Sequence, residues 1–167
     1  MKKKWLIFNC ITLMLFCQYP LGVSAISEAQ KTAISDNCNS IKESLKNTQR
    51  AGARTRVYFG GKFEMILSKF ITPLNVKLVE KNVTNLGLIE NQSNFADAKT
   101  SFSNDFIKYQ QVLEELVGID CKTEPEEFYE KLVKVRKQRE LVGEDIVKVE
   151  KLISKNMKLV TDLKDSL

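Results

Sequence analysis

Apolar residues recur in alternating steps of three and four along the last quarter of the chain, residues 128–167. This spacing places one narrow apolar stripe on one side of a helix and is typical of a coiled-coil seam. The stripe leaves water only when it packs against a partner helix, from this chain or from another. The seam positions are Phe128, Leu132, Val135, Arg139, Val142, Ile146, Val149, Ile153, Asn156, Val160, Leu163 and Leu167.

Helical spacing also predicts a long element that begins near Cys38, after a polar stretch that is either a frayed helix or a loose tail. In the middle of this element, Thr48, Gly52 and Thr55 stand where large apolar residues are expected. Small residues allow two helices to approach closely, but they also fill space poorly. The sequence therefore leaves open a tight helix crossing and a loosely packed stretch.

Two later features predict irregularities in the same element. The pair Gly60-Gly61 predicts a kink or a short break, because glycine is unfavourable inside a helix. Thr72 is interpreted as a cap, with Pro73 at the first position of a new helix or of a kinked continuation. Helical spacing then fades over residues 82–87.

A turn is predicted at residues 91–94, and a third helix from Ser93 or Asn94 to about Gly118. Thr123 is the predicted cap of the last helix, and Pro125 occupies a first-turn position where its missing N–H costs nothing. No segment alternates apolar and polar residues with a period of two. We therefore predict an all-α fold, an elongated antiparallel bundle or coiled coil of three to four helices with a long C-terminal helix.

The first 25 residues have the pattern of a secretory leader. Three lysines precede an apolar run over residues 6–16, and small residues at positions 23–25 stand before a cleavage point. We predict cleavage near Ala25, which leaves residues 26–167 as a single helical coiled-coil domain that is secreted, periplasmic or at the cell surface. An uncleaved N-terminal anchor is the alternative, and a lipoprotein is disfavoured because a bulky residue precedes Cys17.

Cleavage leaves two cysteines, Cys38 and Cys121, which we predict to form a disulfide in an oxidising compartment. The bond places the start of the first helix beside the turn before the last, so these two helices run in the same direction. One difficulty follows, because the helical material between Cys38 and the turn at residues 91–94 is longer than the helix that returns. Either the chain folds back near Pro73 or the disulfide is absent.

Charge is distributed unevenly along the chain. The net charge is +5, but it falls to +2 without the three leader lysines, with 23 basic and 21 acidic residues. A nucleic-acid partner is therefore not expected. Residues 42–81 carry +6 and residues 82–127 carry −6. We interpret this contrast as a basic helix packed antiparallel to an acidic one.

The residue types exclude several kinds of active site. The chain has no histidine, so it lacks the commonest general base and the commonest zinc ligand. The two cysteines that remain after cleavage are too few for a four-cysteine zinc site, and no glycine-rich phosphate loop is present. We predict no catalytic residue, no metal, no cofactor and no small-molecule substrate, and an enzyme is the least favoured class.

The basic cluster Arg50, Arg54 and Arg56 has two interpretations. It contacts an anionic surface such as lipid headgroups or cell-wall polymer, or it is a solvated face paired with the acidic third helix. The polar seam residues Arg139 and Asn156 also have two interpretations. Such a residue either fixes the register of the helix pair or lies at the edge of the seam. For Arg139 the edge position is favoured, and for Asn156 both remain open.

The apolar face widens towards the C-terminal end, where residues outside the strict seam join it. This end is predicted to engage a second helix or another subunit. The candidate interaction residues, with Met157 beside them, are Leu152, Ile153, Asn156, Leu159, Val160 and Leu163.

Taken with the leader and the two cysteines, four segments resemble small exported helical proteins of bacteria that have no assigned activity. They are ILSKFITPLNVKLVEKN at residues 66–82, QSNFADAK at 92–99, DFIKYQQVLEEL at 105–116 and IDC before the last helix. The resemblance implies an exported helical protein and brings no functional residue with it.

Three functions remain as hypotheses. The first is a non-catalytic exported coiled-coil protein that acts by protein–protein contacts, including self-association, at the envelope or outside the cell. The second is a module that binds an anionic membrane or wall surface through the basic segment 42–81. The third is a periplasmic chaperone that holds unfolded clients between its helices.

Overall fold

A computed structural model describes residues 26–165 and confirms the all-α fold. Five α-helices and one π-helical turn make up this part of the chain, which contains no strand. The predictions made on residues 1–25 and on Leu167 lie outside the described residues. The helices are α1 (Glu28–Asp36), α2 (Cys38–Ile66), α3 (Thr72–Glu80), α4 (Leu86–Gly118) and α5 (Pro125–Asp165), with the π-helical turn at Leu67–Ile71 between α2 and α3.

The three long elements run up, down and up, as predicted. Helix α4 runs antiparallel to α2, as two ring contacts show: Phe59 packs on Phe102, and Phe63 packs on Phe95. Helix α5 runs antiparallel to α4 and therefore parallel to α2. The disulfide closes one end of the bundle, and the connection after α3 closes the other. There Asn82 adopts a left-handed backbone with φ 58°, a conformation that asparagine tolerates better than most residues.

The core follows the predicted seams and is centred on α4, which lies between the other two long elements. Every third or fourth residue of α4 is buried, and α5 contributes its seam positions. Aromatic edge-to-face contacts join α2 to α4. Each such contact stabilises the fold beyond what burial of the apolar surface contributes. The fully buried large side chains include Phe63, Ile71, Leu88, Phe95, Phe102, Phe106, Leu113, Leu116, Phe128 and Val149.

Residues 26–37 form a docked helix rather than a loose tail. Ser27 and Gln30 make a reciprocal capping box at the start of α1. Lys31 forms an ion pair with Glu126 at the start of α5, and the Ser35 hydroxyl donates to the backbone carbonyl of Lys122 at 3.2 Å. These contacts attach α1 to the end of the bundle that carries the disulfide.

The predicted break at Gly60-Gly61 is wrong, because α2 continues through both glycines. The irregularity lies further on, in the π-helical turn that ends just before Thr72 and Pro73. Proline cannot donate a helical hydrogen bond, and its ring crowds the carbonyl four residues earlier. The extra residue in the wider turn relieves that conflict. Thr72 is itself helical and makes no side-chain cap, so the structure has the continuation rather than a new helix.

The predicted turn at residues 91–94 is also wrong, since α4 already begins at Leu86. Asn85 caps this helix, accepting a hydrogen bond from the backbone N–H of Leu88 at 3.1 Å. The early start reduces the length mismatch: α4 has 33 residues, and its first turn already lies beside Asn75 of α3, whose amide donates to the carbonyl of Leu88 at 3.2 Å. The disulfide therefore forms without a fold-back near Pro73.

Thr123 does not cap α5, because the helix begins at Pro125 and Glu124 is the residue before it. The Thr123 hydroxyl donates to the carbonyl of Asp120 at 3.5 Å.

The expected pairing of a basic α2 with an acidic α4 is not what joins these helices. The ion pair between them, Glu64 with Lys99, has the acidic partner on α2. Acidic residues of α4 pair instead with α5, as Glu115 does with Lys131 at 2.6 Å. Such exposed pairs add little stability, so the charge contrast along the chain does not determine the arrangement.

Candidate functional site

Cys38 and Cys121 form the predicted disulfide, with a Cα–Cα distance of 5.5 Å. Both residues are almost completely buried in the core. The turn that carries Cys121 is held by the Asp120 side chain, which accepts a hydrogen bond from the backbone N–H of Lys122 at 3.1 Å. That hydrogen bond also lowers the pKa of the Asp120 carboxyl. The pair is structural and is sealed from solvent.

The three arginines of the basic cluster do not form one site. Arg56 donates to the side-chain oxygen of Gln110 on α4 at 3.2 Å. Arg50 donates to the side-chain oxygen of Asn47 in its own helix, and Arg54 forms no hydrogen bond or ion pair within residues 26–165. None of the three forms an ion pair with an acidic residue there, and all three are exposed. They lie on a solvated face that is joined to the acidic helix by the hydrogen bond from Arg56 to Gln110.

An open apolar groove lies between α2–α3 and the end of α5. We call it the distal groove, because it lies at the end of the bundle away from the disulfide. Its volume is about 640 Å³. The lining residues are Ile66, Phe70, Ile71, Leu74, Ile153, Asn156, Met157, Val160 and Thr161.

Two large side chains of the distal groove are mainly in water. Phe70 is 62% exposed and Met157 is 60% exposed, although each lies one helical turn from a residue that packs against the core, Ile66 and Ile153. Exposure of both, one on each wall, leaves a wide apolar cleft between two parallel helices. Contiguous exposed apolar surface of this kind is characteristic of interaction sites.

Side-chain amides beside the distal groove form hydrogen bonds between α4 and the two neighbouring elements, α3 and α5. The side-chain N–H of Asn75 donates to Gln92, which in turn donates to the Thr72 hydroxyl at 3.2 Å. On the other side, the amide of Asn91 donates to Asn156 at 3.3 Å. These hydrogen bonds attach α3 and α5, which carry the two walls of the cleft, to the same turn of α4.

Charged residues mark the two ends of the distal groove. Lys62 of α2 lies 3.9 Å from Glu150 of α5, and this ion pair crosses between the two walls. At the other end, Lys77 follows Leu74 by three residues and Lys164 follows Val160 by four, so each lies one helical turn beyond the lining. Both lysines are exposed and neither pairs with an acid within residues 26–165.

Three of the six candidate interaction residues line the distal groove, namely Ile153, Asn156 and Val160. Leu152 instead packs against the core, and Leu159 lies against Gly87 of α4. Leu163 is half-buried beyond the groove lining.

The sequence did not point to the opposite wall, which Ile66, Phe70, Ile71 and Leu74 supply. Their helical spacing was visible, but it matches an ordinary core face. Only the parallel alignment of α2–α3 with α5 shows that these residues face a cleft.

A pair of carboxyl groups lies away from both walls. Burial raises the pKa of Asp145 on α5 above its ordinary value of 3.8, and the neighbouring Asp105 of α4 raises it further. The Oδ2 atom of Asp145 is buried without a hydrogen-bond partner in residues 26–165. Asp105 is engaged by Gln138, whose side chain donates to it at 3.3 Å.

Two further features of residues 26–165 bear on chemistry. No group of three or more cysteine and acidic side chains in this part of the chain is arranged to hold a metal ion. None of its helices is long and apolar enough to cross a membrane. The apolar groove is therefore the clearest candidate site in the described chain.

Comparisons with known proteins do not add to this picture. No protein-family model matches the chain, and no match is found among curated proteins or solved structures. The resemblance to small exported helical proteins of bacteria therefore stays a prediction, and the candidate site stands on its own geometry.

Proposed function

We propose that this chain is an exported, non-catalytic helical protein that acts by protein–protein contacts, and that its distal groove receives an amphipathic helix of the partner. The observation that carries this proposal is the exposure of Phe70 and Met157 on facing walls of one apolar cleft. Two parallel helices with a cleft between them form the side of a bundle to which a further helix can be added.

Charge complementarity indicates the chemistry of that helix. The unpaired lysines Lys77 and Lys164 flank one end of the groove, whereas the Lys62–Glu150 pair leaves the other end close to neutral. An apolar stripe with spacings of three and four fits the cleft. Acidic residues after the stripe then reach the two lysines and fix the direction of the bound helix.

Export is supported by two independent features. The leader pattern of residues 1–25 is that of a secreted protein. The Cys38–Cys121 bond is of the kind that forms in oxidising compartments such as the periplasm or the extracellular space. The partner is therefore sought at the cell envelope or outside the cell.

Site-specific photo-cross-linking in the native host tests this function. The photoreactive residue replaces Met157 in the groove and, as a matched control, Val57, which is 76% exposed on α2 outside it. We expect a discrete protein adduct from position 157 only, whose cross-linked peptide is an apolar-striped helix with acidic residues at one end.

The outcomes of this experiment separate the possibilities. An adduct with a second copy of this chain would show that the groove serves self-association rather than binding of a different protein. Equal labelling from positions 157 and 57, or labelling of lipid alone, would contradict the proposal. Replacement of both Lys77 and Lys164 by glutamate is expected to reduce the adduct without changing the fold, because both side chains are exposed.

A second candidate function is binding to an anionic membrane or wall surface through residues 42–81. It is favoured by one observation, the absence of any acidic partner for Arg50, Arg54 and Arg56 within the described chain. Salt-sensitive sedimentation with phosphatidylglycerol vesicles, but not with phosphatidylcholine vesicles, supports it. No binding at low salt excludes it.

A further inference from the structure

A second groove lies between α2 and α5, nearer the disulfide. We call it the proximal groove. Its volume is about 230 Å³, below the usual range for drug-sized ligands, so a smaller molecule fits it. The lining residues are Thr48, Ala51, Gly52, Thr55, Phe106, Tyr109, Arg139, Val142, Gly143 and Ile146.

The small residues of α2 have opposite effects on their two sides. A Cβ atom added to Gly52 would lie 3.7 Å from Cε1 of Tyr109, an ordinary van der Waals distance, so α2 packs on α4 at this point. Towards α5 the same small residues leave a space, with Gly143 on the facing helix. The stretch is therefore in ordinary contact with α4 on one side and loosely packed towards α5 on the other.

Tyr109 lines the proximal groove and is 5% exposed. Its hydroxyl has no hydrogen-bond partner within residues 26–165. It is not among the unpartnered polar atoms that are completely sealed from solvent there, so the hydroxyl of this groove-lining residue keeps some contact with solvent. Burial raises the pKa of the phenol, which keeps the proton on the oxygen and leaves a donor available.

Arg139 is the second polar group of the proximal groove. It interrupts the apolar seam of α5, and its guanidinium forms no ion pair or hydrogen bond within residues 26–165. Its charge acts on Tyr109, where it favours the ionised phenol and so opposes the effect of burial. No acidic side chain lines the groove, so the arginine has no internal counter-charge there.

The other polar side chains of the lining are already engaged. The Thr48 hydroxyl donates to the carbonyl of Ser44 at 2.9 Å, and the Thr55 hydroxyl donates to that of Ala51 at 3.1 Å. Arg139 and Tyr109 are thus the donors left for a ligand. Apolar surface for the rest of a ligand comes from Phe106, Val142 and Ile146.

From this arrangement we infer that the proximal groove binds a small organic carboxylate that carries an apolar group. The planar guanidinium of Arg139 matches a carboxylate in a two-pronged contact, and the Tyr109 hydroxyl donates to the same group. One unpaired cation matches a single negative charge better than it matches a phosphate monoester, which carries nearly two. This inference revises the expectation that no small molecule binds, without implying that one is converted.

The carboxylate has two possible sources, a free acid or the C-terminus of a peptide. Calorimetric titration of residues 26–167 uses 3-phenylpropanoate for the first source and an acetylated dipeptide ending in phenylalanine for the second. The corresponding amides serve as uncharged controls. We expect saturable binding of one or both acids and none of the amides, and the acid that binds identifies the source.

Variants assign the binding to the groove. We expect Arg139→Gln to weaken binding about tenfold or more, because it removes a charge-assisted contact. Tyr109→Phe is expected to weaken it by a smaller factor, and Gly52→Leu to abolish it by filling the space. Arg54→Gln is the matched control, since Arg54 is also exposed and unpaired but lies outside the lining.

Helical circular dichroism and thermal unfolding of each variant separate lost binding from lost folding. Tyr109→Phe keeps the packed ring, so it remains informative if Gly52→Leu fails to fold. The inference is overturned by absence of saturable binding, by equal binding of the amides, or by equal losses in Arg139→Gln and Arg54→Gln. None of these results bears on the distal groove, whose lining is separate.

Discussion

The side-chain amide of Asn91 on α4 donates a hydrogen bond to the side-chain oxygen of Asn156 on α5, at 3.3 Å. Asn91 is fully buried and also donates to the backbone carbonyl of Leu152 at 3.1 Å. Its own oxygen has no partner within residues 26–165. Asn156, the polar residue that interrupts the apolar seam of α5, therefore lies directly opposite the polar residue Asn91 of α4. This supports the register interpretation of Asn156, because a shift of either helix would break the pair.

Asn156→Ala tests the contribution of this pair. We expect it to lower the free energy of unfolding by about 1 kcal/mol, since Asn91 loses one buried hydrogen bond but keeps the one to Leu152. Urea denaturation with linear extrapolation measures the change. Asn104→Ala is the matched control, as Asn104 is exposed on α4 and alanine favours the helix there. Equal effects of the two substitutions would show that the pair contributes nothing.

The position of α5 was largely predictable from its sequence. Its seam residues Phe128, Val135, Val142 and Val149 are all buried. An apolar stripe that continues over many turns lies on one face of the helix, and that face is buried by packing against another helix. Arg139 lies at the edge of that seam, as favoured. The wall that faces α5 was not predictable, because spacing within one helix carries no information about which helix lies opposite.

The start of α4 was predicted too late for a physical reason. The polar residues Asn91 and Asn94 resemble a turn, and asparagine is common in turns. In the structure Asn91 is instead buried and hydrogen-bonded across the interface. Tertiary hydrogen bonds therefore override the local preference, and sequence alone does not contain the partner positions that make this possible.

Alanine substitutions of three glycines test the helix bounds. Nothing lies within 4 Å of a Cβ atom added to Gly60 or Gly61, and neither has a positive φ. We expect Gly60→Ala and Gly61→Ala each to stabilise the protein by about 1 kcal/mol, because alanine loses less backbone entropy in a helix. Thermal unfolding followed by circular dichroism reports the shift.

Gly87→Ala is the contrasting substitution. Its added Cβ would lie 3.1 Å from a methyl carbon of Leu159 and 3.3 Å from the Asn85 side-chain oxygen. We expect a loss of stability, because the Asn85 cap or the leucine must move to make room. A break at Gly60-Gly61 in solution would reverse the pattern, with Gly60→Ala or Gly61→Ala destabilising the protein.

Removal of the disulfide is expected to cost more than any of these changes. The bond joins residues 83 positions apart, and closing a loop of that length restricts the unfolded chain by about 4–5 kcal/mol. The variant Cys38→Ala/Cys121→Ala should unfold at a clearly lower urea concentration than the oxidised protein. Reductant should shift the midpoint of the parent protein but not that of the variant. Unchanged midpoints in both comparisons would contradict a stabilising bond.

Asp145 is expected to make stability depend on pH in the opposite direction to most carboxyl groups. Its pKa is raised in the folded protein, first by burial and then by Asp105. Above pH 3.8, the ordinary value, the folded state therefore holds more protons than the unfolded state. The contribution of this group to stability falls as the pH rises from that value through the folded pKa. At neutral pH the ionised Asp145 carboxylate consequently lowers the free energy of unfolding.

Asp145→Asn should accordingly raise the unfolding temperature at pH 7, and the gain should shrink as the pH falls towards 4. The amide keeps the shape of the side chain without its charge, so repulsion from Asp105 disappears. Asp162→Asn is the matched control, because Asp162 is exposed near the end of α5. Thermal unfolding of both variants across this pH range measures the difference. A gain that is equal at both ends of the range would show that ionisation of Asp145 is not its cause.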